Sequence, residues 1–189
     1  MKIVVGISGA SGSIYGLRLL QKLRGNPDTE IHLIVTRSAE KTLFLETGKK
    51  VFELKELAHY YYPFEDIGAR LASGSFRTDG MVVAPCSIHT MSAIAAGISS
   101  NLLIRAADVS LKERRPLILM VRETPLHLGH LRTMVALAEM GAVILPPTPV
   151  FYTKPETVMD LVDSSVDRVL DLLQLPDRDC RRWSGARVE

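Results

Sequence analysis

The chain is poor in the features that most directly assign a class. It has only two cysteines, Cys86 and Cys180, in 189 residues, which excludes a disulfide framework or a cysteine metal cluster. No apolar run approaches the roughly 20 residues needed to span a bilayer. The N-terminus enters an apolar run directly, without the pattern of a signal peptide. The expectation is a cytoplasmic protein with no membrane span. Charge is nearly balanced at a net +2, so nothing argues for nucleic-acid binding. The basic tail at Arg178, Arg181, Arg182 and Arg187 reads as a solvated end. Repeats and low-complexity segments are absent. What is present is 47% apolar residues and a mean hydropathy of +0.14. That hints at surface buried between subunits, and the length suits one domain, 1–189, with its own core.

The organising stretch is Gly6-Ile7-Ser8-Gly9-Ala10-Ser11-Gly12-Ser13, between a strand-like run from Lys2 and a helix-like run from Ile14 to Leu23. A strand, a glycine-rich turn and a helix N-terminus form an anion site, because the first-turn N–H groups point into the loop. Ser8, Ser11 and Ser13 offer hydroxyls, and Ser13 can cap the helix. The glycines at 6, 9 and 12 are not the G-x-G-x-x-G dinucleotide fingerprint. The second strand, 31–36, ends in Thr36-Arg37 rather than in the acidic residue that holds a ribose. The turn is compatible with a mononucleotide such as FMN, or with no ligand at all.

Further along, helices are expected over 38–46, ending near Gly48, and over 51–57. The segment His59–Phe64 reads as an aromatic-rich loop. Strands at 80–84, 116–121 and 142–145 alternate with helices beginning near Ser87 or Thr90, over 101–115 and over 127–140. Pro155 opens a last helix at about 156–173. This alternation implies an α/β, doubly wound, mostly parallel sheet. The turn after 80–84, Pro85-Cys86-Ser87, would face the same crevice as the glycine loop.

Several candidates have both a functional and a plain reading. Arg105, Asp108 and Lys112 form a stripe on an apolar helix, either an anion site or a surface Asp108–Lys112 pair. Arg122-Glu123, past a strand's carboxyl end, offers bidentate phosphate binding and proton transfer, or an ion pair. His127 and His130 lack a third zinc ligand. Asp160, Asp163, Asp167 and Asp171 read as the solvated face of the last helix, with Arg168 beside them.

Together, Gly9-Ala10-Ser11-Gly12 with Tyr15-Gly16, Leu45-Glu46-Thr47, Ser73-Gly74-Ser75-Phe76, Pro85-Cys86-Ser87, Arg105-Ala106-Ala107-Asp108-Val109, Leu111–Leu117, Val121-Arg122-Glu123-Thr124-Pro125-Leu126, Gly141–Pro147, Phe151-Tyr152 and Arg182-Trp183 resemble the UbiX family of flavin prenyltransferases over nearly the whole chain. The resemblance implies a Rossmann-like (flavodoxin-like) subunit in a homo-oligomer, commonly a dodecamer, with sites between subunits. The tail from 174 to 189 would pack on neighbours. It implies transfer of a dimethylallyl group from dimethylallyl monophosphate to N5 and C6 of reduced FMN, without a metal. The prenylated FMN would serve UbiD-type decarboxylases acting on ubiquinone precursors or phenolic acids.

Carried over by position, FMN contacts fall on Gly9, Ala10, Ser11, Thr36, Ser87, Ile88, His89, Thr90 and Arg122. Prenyl-phosphate contacts fall on Tyr152 and Arg168, with Arg105, Lys112 and Arg122 in the same network and Trp183 near the prenyl group. Ser11, Glu46, Lys112 and Glu123 match positions implied in the chemistry. The cations would stabilise departing phosphate, which gives Arg105 and Lys112 a reason to sit on an apolar helix. Glu123 would protonate phosphate and then act as base, and Glu46 would assist at N5. The nearest alternative is an FMN-dependent oxidative cysteine decarboxylase, whose catalytic histidine has no counterpart between Tyr60 and Ser87. A non-enzymatic flavin carrier is the other.

Overall fold

The computed structural model describes residues 1–175 and 185. Trp183, Cys180 and the tail arginines lie outside the described residues. Six strands form one parallel sheet in the order β3-β2-β1-β4-β5-β6. They are β1 (Lys2–Ile7), β2 (Glu30–Val35), β3 (Tyr60–Pro63), β4 (Gly80–Cys86), β5 (Leu117–Val121) and β6 (Val143–Ile144). The helices are α1 (Ser13–Arg24), α2 (Arg37–Thr47), α3 (Val51–Leu57), α4 (Ile88–Ala95), α5 (Leu102–Lys112), α6 (Leu128–Glu139) and α7 (Val158–Leu172).

Strand periodicity splits the core in two. Ile3, Val5 and Ile7 of β1 join Leu17, Leu20, Val166 and Val169 on the α1/α7 face. Val4 joins Met81, Val83, Leu103 and Ala107 on the α4/α5 face. Connections leave β1 toward one edge and β4 toward the other, so their carboxyl-end loops part and open a crevice. The doubly wound parallel sheet expected from the alternation is what forms.

Two expectations fail. Tyr60–Pro63 is an edge strand rather than a loop, paired in parallel with β2. It is held by His32, which is fully buried, stacks on Tyr60 at 5.0 Å and meets the Tyr62 hydroxyl at 3.0 Å. Without β3 the order is that of flavodoxin; β3 extends it by one edge. Second, α7 starts at Val158 behind an N-cap at Thr157, rather than at Pro155. Thr157 Oγ1 accepts from Asp160 N–H, and the Asp160 carboxylate accepts from Thr157 N–H. The stripe opposite its apolar side is also not merely solvated. Asp163 pairs with Arg18 at 2.6 Å, and Asp167, only 7% exposed, pairs with Lys22. Side-chain pairing bolts α7 to α1.

Candidate active site

The glycine loop is built for close approach. A Cβ at Gly9 would lie 2.3 Å from Ser38 Oγ, and one at Gly16 would lie 2.3 Å from Ala84 O. Gly12, at φ 102°, turns the chain into α1 in a left-handed conformation that favours glycine. Ser8 does not face a ligand. It is 1% exposed, donates from Oγ to Pro85 O at 2.8 Å and accepts from Ser87 N–H at 2.7 Å. Ser8 therefore rivets the β1 and β4 loops together.

Nor are the first N–H groups of α1 open to a phosphate. The Glu46 carboxylate, from the end of α2, accepts from Gly12 N–H at 3.0 Å and Ser13 N–H at 2.8 Å. Gly12 is the N-cap, not Ser13. Partial burial pushes the Glu46 carboxyl up, but the Ser11 hydroxyl and these backbone donors outweigh it, and the group sits below its ordinary value. Glu46 is thus a fixed anion at neutral pH, an acceptor and not an acid.

Two other helix N-termini face the crevice. Thr36 caps α2, accepting from Ala39 N–H at 3.2 Å with Ser38 Oγ 3.1 Å away. Ser87 caps α4, accepting from Thr90 N–H at 3.2 Å and donating to Thr90 Oγ1 at 3.1 Å. Ile88 and His89 follow in the first turn, with Thr90 buried and His89 exposed. Arg122 is anchored past β5 by its N–H on Cys86 O at 3.1 Å. The Glu123 carboxylate accepts from Thr124 N–H at 3.0 Å. Cys86 itself is fully buried, and burial pushes its thiol up to about 12, so it is no nucleophile.

A cleft of about 790 Å³ unites part of this set. Ser11, Gly12, Glu46, Lys49 and Arg122 give its polar side; Ile14, Tyr15, Leu17, Val158, Met159 and Val162 give an apolar wall. Burial raises the Tyr15 phenol while the nearby Arg122 charge pulls it down, with a net rise, so it stays protonated. The motif reading passed over Val158 and Met159. They are 78% and 41% exposed at the start of α7, and exposed apolar residues in a helix's first turn were the available signal.

The remaining predicted residues are not brought there by the same chain. Lys112 ends α5 at the opposite sheet edge from Arg122, about 16 Å away along β5. It pairs with Glu113 rather than Asp108. Arg105 binds Asp108 at 2.5 Å and Ala72 O at 3.1 Å. Arg168 is exposed on α7, ten residues and about 15 Å beyond Val158. Tyr152 is 57% exposed. The expected Arg105–Lys112–Arg122 cluster does not form within one chain, because Lys112 ends α5 before β5 begins and Arg122 follows the opposite, carboxyl end of that strand. Among the described residues no three His, Cys, Asp or Glu side chains gather to hold a metal. His127 instead caps α6, its Nδ1 accepting from Gly129 N–H at 3.0 Å.

The family model "Flavoprotein" matches residues 1–170. The flavin prenyltransferase UbiX of Escherichia coli (strain K12) is 54% identical over 187 residues, 98% of this chain and 99% of that one. A dodecameric FMN-dependent UbiX-like decarboxylase from Escherichia coli O157:H7 superposes with a TM-score of 0.96 at 47% identity, covering 98% of this chain and 100% of that one. AnUbiX (PadA1), solved with FMN and dimethylallyl pyrophosphate, gives 0.96 at 45% identity and 98% of each chain. With likeness of that extent in both sequence and backbone, the chain belongs to the UbiX family of flavin prenyltransferases.

Proposed function

We propose that the chain joins the dimethylallyl group of dimethylallyl monophosphate to N5 and C6 of reduced FMN, and that the product serves a UbiD-type decarboxylase in the cytoplasm. The observation that carries this reading is the cleft in which Ser11, Glu46 and Arg122 face an apolar wall beside the glycine loop. A prenyl phosphate needs that division, with cations at one end and dry hydrocarbon at the other.

FMN fits the residues present. Gly9 and Gly16 let the first loop and the start of α1 pack on Ser38 and Ala84, where any Cβ would clash, and so fix the loop's shape at the crevice. Thr36, Ser87 and Thr90 place hydroxyls at two helix N-termini, where a phosphate is favoured. Gly9, Ala10, Ser11, Ile88, His89 and Arg122 complete the contacts. Since Glu46 fills the α1 terminus, the phosphate belongs at the other two.

Bond formation at N5 releases phosphate with the C–O electron pair. Arg122 stabilises that charge from this chain; Arg105, Lys112, Arg168 and Tyr152 do so from neighbouring copies. Glu123, held by Thr124 N–H beside Arg122, would protonate the leaving phosphate; on ring closure the protonated phosphate would return a proton to C2 of the prenyl double bond as C6 bonds to C3, and the Glu123 carboxylate would take the proton that C6 loses. Glu46, already anionic, accepts the N5 proton through Ser11. Trp183 would shield the allyl group.

The test is the mass of the released flavin after anaerobic incubation with reduced FMN and dimethylallyl monophosphate. We expect a gain of one prenyl unit, lost in Lys112→Ala and Glu123→Ala. Unmodified FMN from folded, flavin-loaded protein, with both the mono- and the diphosphate donor, would overturn the reading.

A further inference from the structure

Residues 72–76, between β3 and β4, are tied to both ends of α5 through their carbonyls. Near the start of the helix, Arg105 Nε donates to Ala72 O at 3.1 Å. At its end the chain closes a Schellman turn. Arg114 takes φ 55°, its N–H donates to Leu111 O at 3.0 Å, and Arg115 N–H returns to Ser110 O at 2.8 Å. The Arg115 side chain then reaches back to the loop. Its Nη2 donates to Gly74 O at 2.6 Å and its Nη1 to Phe76 O at 2.9 Å, so the planar fork spans two carbonyls. The Phe76 ring is held in turn, 5.4 Å from His32 and 4.7 Å from the Arg70 guanidinium. Lys112 and its partner Glu113 stand against Gly74. A Cβ there would lie 2.7 Å from Lys112 Nζ and closer still to Glu113 Oε1.

We propose that Arg115 and Gly74 are positioning residues for Lys112. Arg115 fixes the height of the loop, and Gly74 leaves the space in which the Lys112 ammonium stands. What Lys112 then binds, the phosphate of the prenyl donor, rests on the prenyl-transfer reading. Lysine is a point charge on a flexible four-carbon stem, and Lys112 is exposed in the last turn of α5. The core therefore restrains it little, and its placement comes from the surface it stands on. A misplacement of about 1 Å in such a group can cost on the order of a hundredfold in rate. The Arg115 guanidinium is committed to main-chain carbonyls, so it acts through the loop and Lys112 rather than on the phosphate.

The experiment is calorimetric titration of dimethylallyl monophosphate into protein loaded with oxidised FMN. The transfer needs reduced FMN, so binding is read without turnover. The variants are Lys112→Ala, Arg115→Met and Gly74→Ala, and the last two each combined with Lys112→Ala, with flavin absorbance reporting FMN occupancy. A Cβ at Gly74 meets the free ends of two flexible side chains, and Gly74 is not left-handed. Gly74→Ala therefore keeps the fold, which keeps the test open if Arg115→Met does not. We expect parental FMN occupancy throughout, a donor Kd raised about tenfold by Lys112→Ala, and one raised about fivefold or more by Arg115→Met and by Gly74→Ala. Once Lys112 is removed, neither change should weaken binding by more than about twofold further. A merely structural role would lower FMN occupancy and add in full to Lys112→Ala. Parental Kd in Lys112→Ala or in either folded positioning variant, or losses that add in full, would overturn the proposal and leave prenyl transfer standing. A parent that binds the donor through Lys112 yet never prenylates reduced FMN would uphold the positioning and sink the prenyl-transfer reading. A parent that binds no donor would overturn both.

Discussion

At the scale of single residues, Glu46 is set apart from its exposed sequence neighbours by what its carboxylate binds. Leu45 and Phe44 beside it are 82% and 53% exposed, while its own carboxylate crosses to the α1 N-terminus and binds two backbone donors. A charge there offsets the helix dipole and holds Ser11 against the cleft. The sign of its pH dependence follows from its lowered value. The carboxylate's contribution is present above the ordinary carboxylate pKa and is lost as pH falls through the lower folded value. Glu46→Gln keeps the shape, removes the charge and turns one accepting oxygen into a donor facing other donors. We expect it to fold normally and to slow prenyl transfer about tenfold or more. The part of the parent's rate that depends on the Glu46 carboxylate should persist down to the ordinary carboxylate range and be lost only below it. Rates by flavin mass across pH check both, and a Gln variant at parental rate would remove Glu46 from the chemistry.

At the scale of elements, β3 and its supports form a separate device. His32 lies under Tyr60, Tyr62 and the edge of Phe76, and Glu30 accepts its Nε2–H at 2.8 Å. Arg70 covers the outer side of the same rings at 4.2–5.7 Å. Burial pushes the imidazole below its ordinary value, against the pull of Glu30, so it is neutral when folded. The unfolded chain then binds the extra proton, and stability falls as pH drops below about 6.5. We expect the Tm to decline from pH 6.5 to 5, and His32→Phe to flatten that slope. Thermal melts across the range decide it; an unaltered slope in the variant would place the acid sensitivity elsewhere. This cluster also shows what sequence reading misses. Tyr60-Tyr61-Tyr62-Pro63 has aromatic strand propensity but only four residues and a terminal proline, and its pairing depends on a histidine 28 residues earlier. Strands β1, β2, β4 and β5 were legible because burial on both faces makes each a continuous apolar run. The N-cap of α1 was not, because its acceptor comes from 34 residues away. Asp163 and Asp167 look like a solvated stripe until α1 supplies Arg18 and Lys22.

At the scale of the whole molecule, the residues implied in the chemistry divide by sheet edge. Ser11, Glu46, Arg122 and Glu123 follow or face carboxyl ends of strands. Lys112 lies at the amino-terminal edge, behind Gly74 and beside Glu113. Motif order revealed their membership in one chemistry but carried no information on which copy supplies each, since that depends on packing between chains. If Lys112 acts across an interface, two defects on different chains must complement. Lys112→Ala and Glu123→Gln should each be inactive alone. Co-expressed in one assembly, they should regain about a quarter of parental prenyl transfer, the fraction of sites that draw an intact residue from each chain under random mixing. A single chain carrying both substitutions, co-expressed with parent, should fall by the same count to about a quarter of parental activity, where residues serving one chain's own site would leave about a half. The measurement is flavin mass per assembled chain, with sedimentation to confirm that mixed oligomers form. If mixed assemblies stay inactive, both residues must serve the same chain's site, and α5 must then move far from its packing against residues 72–76 to bring Lys112 to Arg122.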